Sequence, residues 1–179
     1  TYHNAKNAET FGIELDVKKS LDFIGLRGLS LVCNAAYIHS RVRFEEGAPE
    51  RDRPLAGQSP YLVNAGLFYQ HDDKGISASL LYNRIGKRIE SVGVPMQNQN
   101  EDIPDIYEMP RNSLDLTFSK KIGKVVEIKA GIQDMLNSKI EYKQFVKLAD
   151  ENGGKREREQ LVRSYRPGVD INVGVSLKF

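Results

Sequence analysis

Of the 179 residues, one is cysteine and none is tryptophan. The lone Cys33 excludes a disulfide framework and a cysteine-based zinc site within the chain. No apolar run approaches about 18 residues, which excludes a membrane-crossing helix. Neither sign of charge dominates: 26 Lys+Arg stand against 24 Asp+Glu, a formal net charge of +2. A disordered acidic or basic tail is thereby excluded. Where charge is dense, as in Lys155-Arg156-Glu157-Arg158-Glu159 and Arg51-Asp52-Arg53, acids interleave with bases. A nucleic-acid surface needs a basic excess on one face, so no nucleic-acid partner is expected.

Catalytic groupings are missing too. There is no phosphate-binding glycine loop and no Gly-x-Ser-x-Gly elbow. His3, His39 and His71 are isolated from one another in the sequence, whereas a metal site needs convergent ligands. The reading is of a chain that is not an enzyme and holds no cofactor or metal. A mean hydropathy of −0.47 fits one soluble domain of ordinary size. It fits a transmembrane β-barrel equally well, because the strands of such a barrel are only half apolar.

What is present is alternation. Val169, Ile171, Val173, Val175, Leu177 and Phe179 interleave with Asp170, Asn172, Gly174, Ser176 and Lys178. A period of two is a strand with one apolar and one polar face. It recurs at Phe11–Val17, Leu29–Tyr37, Val63–Tyr69, Ile76–Tyr82, Leu114–Phe118 and Val126–Ile132. The parity slips at Asp134-Met135-Leu136-Asn137 and resumes at Ile140, Tyr142 and Val146. A β-bulge inside one long strand explains the slip; two strands joined by a turn, or a helix over 139–148, are the competing readings.

With the bulge, seven strands are predicted: about 9–19, 28–43, 60–70, 76–91, 112–121, 124–147 and 162–179. Short connections (Leu21–Arg27, His71–Gly75, Lys121–Lys124) alternate with long charged ones (Phe44–Ser59, Gly93–Asn112, about Ala149–Ser164). Short turns at one end and long loops at the other characterise outer-membrane barrels. An odd count of seven leaves two raw edges, which a bilayer forbids. The fold expected is therefore all-β: an antiparallel up-and-down transmembrane β-barrel segment, residues 1–179 forming the carboxyl-terminal portion of a larger barrel.

The polar face carries the candidate site. Facing the lumen of such a barrel would be Glu14, Asp16, Lys18, Asn34, Asn64, Gln70, Asn83, Asp115, Glu127, Lys129, Gln133, Asp170, Asn172 and Lys178. The opposite face meets outer-membrane lipid. Tyr37, Tyr61, Tyr69, Tyr82 and Tyr107 are expected as interface anchors. Arg111 and the cluster Arg84, Lys87 and Arg88 lie near the long-loop end. They read as solvated cations or as an attractor of anions.

Five segments carry a family resemblance. They are Pro54–Leu67, Leu81–Ile89, Met109-Pro110-Arg111 followed by Leu114-Asp115-Leu116, Asp134–Asn137, and Tyr165-Arg166-Pro167-Gly168 leading into the last strand. In order and spacing they resemble the end of the barrel of a TonB-dependent outer-membrane receptor, nearest the Bacteroidetes type. The resemblance implies a barrel of 22 strands with an amino-terminal plug that is not in this chain. It implies energised uptake of a scarce nutrient (siderophore, glycan, peptide or similar), with TonB acting through that plug. Val175, Leu177 and Phe179 resemble the signal read by the outer-membrane assembly machinery. A plug-less passive channel and a soluble β-barrel binding a small apolar ligand are the alternative functions.

Overall fold

In a computed structural model, residues 4–95, 102–149 and 155–178 are described. Eleven strands follow one another: β1 (Asn7–Ser20), β2 (Leu29–Arg43), β3 (Tyr61–His71), β4 (Ile76–Ile85), β5 (Arg88–Ser91), β6 (Ile106–Glu108), β7 (Arg111–Ile122), β8 (Val126–Gln133), β9 (Ile140–Ala149), β10 (Lys155–Tyr165) and β11 (Asp170–Leu177). One 3-10 turn, Asp22–Ile24, joins β1 to β2.

The strands form two antiparallel sheets. The larger has seven strands in the order β1-β2-β3-β4-β7-β8-β11. The smaller has four, in the order β10-β9-β6-β5. The second repeats the order of the first, because β5, β6, β9 and β10 adjoin β4, β7, β8 and β11 in sequence. The chain is thus an up-and-down meander of seven paths, as the alternation predicts. The last four paths are each broken once.

The breaks correct the expected strand boundaries. The strand expected over 76–91 stops at Gly86-Lys87. The strand expected over 124–147 is interrupted across 134–139 rather than bulged by one residue. Asp134 (φ 51°) and Asn137 (φ 43°) adopt left-handed backbone there, which Asp and Asn tolerate better than other side chains. The Asn137 N–H donates to the Asp134 carbonyl at 2.7 Å. Because β8 and β9 do not pair with each other, this is a step in one path and not a hairpin. Bulges do occur higher up, between Leu161 and Arg163 and between Ile89 and Ser91.

Two expected loops also change. Most of the stretch 149–164 is β10, paired along its length with β9. Only 150–154 connects the two, and it lies outside the described residues. Similarly, 93–112 contains β6 and the start of β7. The last path begins at Lys155, not near 162, and breaks at 166–169 before β11.

Register places side chains on faces. Ile13, Leu15 and Val17 stand opposite Tyr37, Ala35 and Cys33. Leu31 and Cys33 continue to Leu67 and Ala65, then to Leu80 and Tyr82, Leu116 and Leu114. Leu116 and Phe118 meet Ile132 and Ala130, and those meet Ile171 and Val173. One apolar face therefore runs unbroken across all seven strands.

That face is bare. Every residue of β1 and β11 is exposed, with Ile13 at 76% and Val173 at 72%. The accessible surface totals 12969 Å². A compact monomer of 20.2 kDa would expose about 8,800 Å². Among the described residues no closed barrel forms: β1 pairs only with β2, and β11 only with β8. The few buried side chains, Val42, Ile89, Tyr142, Ser40, Ser59 and Asp134, all sit at or above the level of the breaks.

Candidate functional site

Thirteen of the fourteen polar-face candidates share one face of the large sheet, and Lys178 lies just past the end of β11. Asp16, Asn34, Asn64 and Asn83 are direct cross-strand partners on β1, β2, β3 and β4, and Ser113 follows on β7. Opposite side chains on adjacent strands lie about 5 Å apart, close enough for amides to bond. Asn83 Nδ2 donates to Asn64 Oδ1 at 2.6 Å. Asn64 Nδ2 donates to Asn34 Oδ1 at 3.3 Å. Asn34 Nδ2 donates to both Glu14 Oε1 and Asp16 Oδ1, each at 2.7 Å.

The rest of the set is placed on the same face but not in that row. Asp115 Oδ1 accepts from the Asp134 N–H at 2.8 Å and so pins the step after β8. Glu127 and Lys129 form an ion pair at 3.4 Å. Gln133 stands opposite Asp170, and Asn172 opposite Gly131. The Asn172 side chain fills the space a Cβ at Gly131 would need. Lys18 and Gln70 share this face through the registers of β1 and β3.

Two further features of the face escape a reading by residue type. Hydroxyls pair below the amide row: Ser77 with Ser119 at 2.8 Å and Ser79 with Thr117 at 2.6 Å. Between the rows lies an apolar inset, where Phe68 and Leu81 converge over Gly66. A Cβ there would stand 2.7 Å from the Phe68 ring and 2.9 Å from Leu81, so a larger residue would push those side chains aside.

The cations near the long-loop end are already engaged. Arg111 Nη2 pairs with Asp134 Oδ2 at 2.8 Å. Arg84 donates to Asn112 Oδ1 at 2.7 Å and to the Tyr61 hydroxyl at 3.3 Å. Arg88 holds Glu108 through two nitrogens at 2.8 and 3.0 Å. The Lys87 ammonium lies 4.5 Å from both the Tyr107 and the Phe145 ring centroids, a cation–π arrangement. Each of the four thus has a partner within the protein, while Lys87 stays exposed. Comparison with family models, with curated proteins and with solved structures finds no match.

The breaks gather the remaining motifs at one level. The Met109 N–H donates to the Glu141 carbonyl at 2.9 Å, and Arg111 reaches Asp134. Arg166 donates to the Asn137 carbonyl, and the Gly168 N–H donates to Asn137 Oδ1 at 3.1 Å. Gly168 has φ 95°, a conformation for which glycine is suited. On the other side, the Gly86 N–H donates to the Tyr61 carbonyl at 3.0 Å, and the Gly57 N–H to the Ile89 carbonyl at 2.8 Å. Segments far apart in sequence thus form a single seam between the sheets.

Above the seam a cleft of about 350 Å³ opens between the β2–β3 and β5–β6 connections and the small sheet. Arg51, Pro54, Ile103, Tyr107, Phe145 and Glu157 line it. Tyr107 and Phe145 meet edge to face, 5.7 Å between centroids. Burial, then the Asp105 and Glu157 carboxylates, push the Tyr107 phenol above its ordinary range. Tyr107, expected as an interface anchor, is in this upper sheet. Tyr37, Tyr61 and Tyr82 stay on the large sheet just below the seam. Among the described residues no group of His, Cys, Asp and Glu is placed to hold a metal.

Proposed function

We propose that this chain is the carboxyl-terminal part of the barrel of a TonB-dependent outer-membrane receptor, which imports a scarce nutrient under TonB control. One observation carries the reading. A seven-stranded antiparallel sheet presents a continuous apolar face on one side, a hydrogen-bonded polar face on the other, and two unpaired edges. A soluble sheet of this kind would aggregate through its edges and apolar face. A bilayer satisfies the face, and further strands of the same barrel satisfy the edges.

Dimensions support it. From the short turns to the seam, β4 has 10 residues and β3 has 11, matching the 9–11 that a tilted strand needs to cross a bilayer. Each of the five segments that resemble the receptor family contributes residues to the seam. In this reading the apolar face meets lipid, and the amide row faces the lumen and plug. The small sheet with its cleft stands outside the membrane, at the mouth through which ligand enters. The mechanism is gated passage without covalent chemistry.

The test has two parts. In cells, the protein is expected in the outer-membrane fraction, with heat-modifiable migration on gels. Its uptake phenotype is expected to vanish when TonB is deleted. Soluble recovery without detergent would overturn the membrane reading. Uptake unchanged without TonB would leave only a passive channel.

A further inference from the structure

The three short turns of the large sheet differ in kind. One, Asp72-Asp73-Lys74, has a polar tip, and a second, Gly123-Lys124-Val125, displays a single apolar side chain, Val125 at 48% exposure. The third, between β1 and β2, displays Phe23, Ile24 and Leu26, which are 71%, 57% and 48% exposed. Its shape is fixed. Asp22 accepts from the Ser20 hydroxyl at 2.7 Å and from the Gly28 N–H at 2.9 Å. Gly25 and Gly28 take positive φ, and a Cβ at Gly28 would stand 2.2 Å from the Gln70 carbonyl oxygen. The apolar side chains are thus held outward by a braced turn.

Their direction follows from register. Lys19 stands opposite Leu31, on the face that carries Val17 and Cys33. Its ammonium lies 5.3 Å from the Phe23 ring centroid. Phe23 therefore continues the apolar face past the end of β1. Arg27 on the turn and Lys19 beside it supply cations at the same level.

We infer that this turn is a lipid anchor: Phe23, Ile24 and Leu26 enter the leaflet on the short-turn side, and Lys19 and Arg27 meet phospholipid phosphates. The inference rests on the membrane reading of the large sheet. Apolar area at the acyl boundary together with neighbouring cations is the combination that binds an anionic lipid interface. The polar turn at Asp72-Asp73-Lys74 has no such combination and stays in water. The barrel wall is then held at a fixed depth at β1–β2 and left free at β3–β4.

The full-length protein tests this in vesicles of phosphatidylethanolamine and phosphatidylglycerol. In a Cys33→Ala background, Leu15→Cys, Phe23→Cys and Asp73→Cys are each labelled with an environment-sensitive fluorophore. Lipids carrying a nitroxide near the headgroup or deep in the chain then quench the label. The expected result is blue-shifted emission at position 23, lost chiefly to the shallow nitroxide. Position 15 loses emission chiefly to the deep nitroxide, and position 73 to neither. Ile24→Cys repeats the measurement if Phe23→Cys fails to assemble. Quenching at 15, with none at 23 or 24, would overturn the anchor and leave the barrel standing. No quenching at 15 would overturn both.

Discussion

The two sheets are one meander but live by different physics. The large sheet buries almost nothing: its edge strands are wholly exposed, and its polar face is held by side-chain bonds in rows. The small sheet, with the β2–β3 connection folded over it, has a small core. Ile89 is 1% exposed, Gly57 bonds to its carbonyl, Tyr142 is buried, and the Tyr107 and Phe145 rings meet edge to face. The first sheet leaves its apolar face uncovered. The second covers part of its own. On the membrane reading proposed above, the seam between them divides two solvents.

That comparison is sharpest where a substitution should strike one sheet and spare the other. Ile89→Ala should have the largest effect, about 2–5 kcal/mol, as for other buried isoleucines. Hydrogen exchange should then accelerate in β5, β6 and β9 while β3 and β4 stay protected. Equal acceleration in both sheets would merge them into one cooperative unit. On the membrane reading, Val173→Arg should cost about 2–4 kcal/mol and lower the folded fraction recovered in the outer membrane. Asn172→Lys, its neighbour on the polar face, should be tolerated in the same assay.

At the seam, Asp134→Asn keeps the left-handed backbone preference and removes the partner of Arg111. Its expected cost is about 1–2 kcal/mol, discounted from a fully buried pair because Arg111 is partly exposed. A urea midpoint shift without a change of slope would register it. Asn64→Ala cuts the amide row and should cost about 1 kcal/mol, read the same way. The smallest effect is of pH. The Tyr107 phenol is raised by burial and by Asp105 and Glu157. Its stabilisation is intact below the ordinary tyrosine pKa of about 10 and is lost as pH rises through the raised value. Tyrosinate absorbance should show Tyr107 titrating late, and Asp105→Asn should bring it earlier.

Alternation made the large sheet legible because each of its strands divides two environments. Parity alone assigned Asn34, Asn64 and Asn83 to one face. Only the pairing register shows that they stand side by side. The small sheet was not legible for the same reason. Lys155-Arg156-Glu157-Arg158-Glu159 has no apolar partner positions, so β10 reads as a loop. Over residues 155–160 both faces are polar, and the strand character there comes from pairing with β9. The breaks left marks in Gly86, Pro110, Asp134, Asn137 and Pro167. Read one at a time, these are turn residues; aligned across four paths, they are a seam.

The amide row has a further consequence. A carboxylate can only accept a hydrogen bond. Glu14 and Asp16 therefore oblige Asn34 to turn its nitrogen toward β1, which leaves its oxygen facing β3. Asn64 must then donate, and Asn83 after it. Three neutral side chains are thereby oriented head to tail by two charges at one end. Glu14→Gln together with Asp16→Asn would remove that constraint and leave the whole file of amides free to reverse. The wall has a polarity written from its edge.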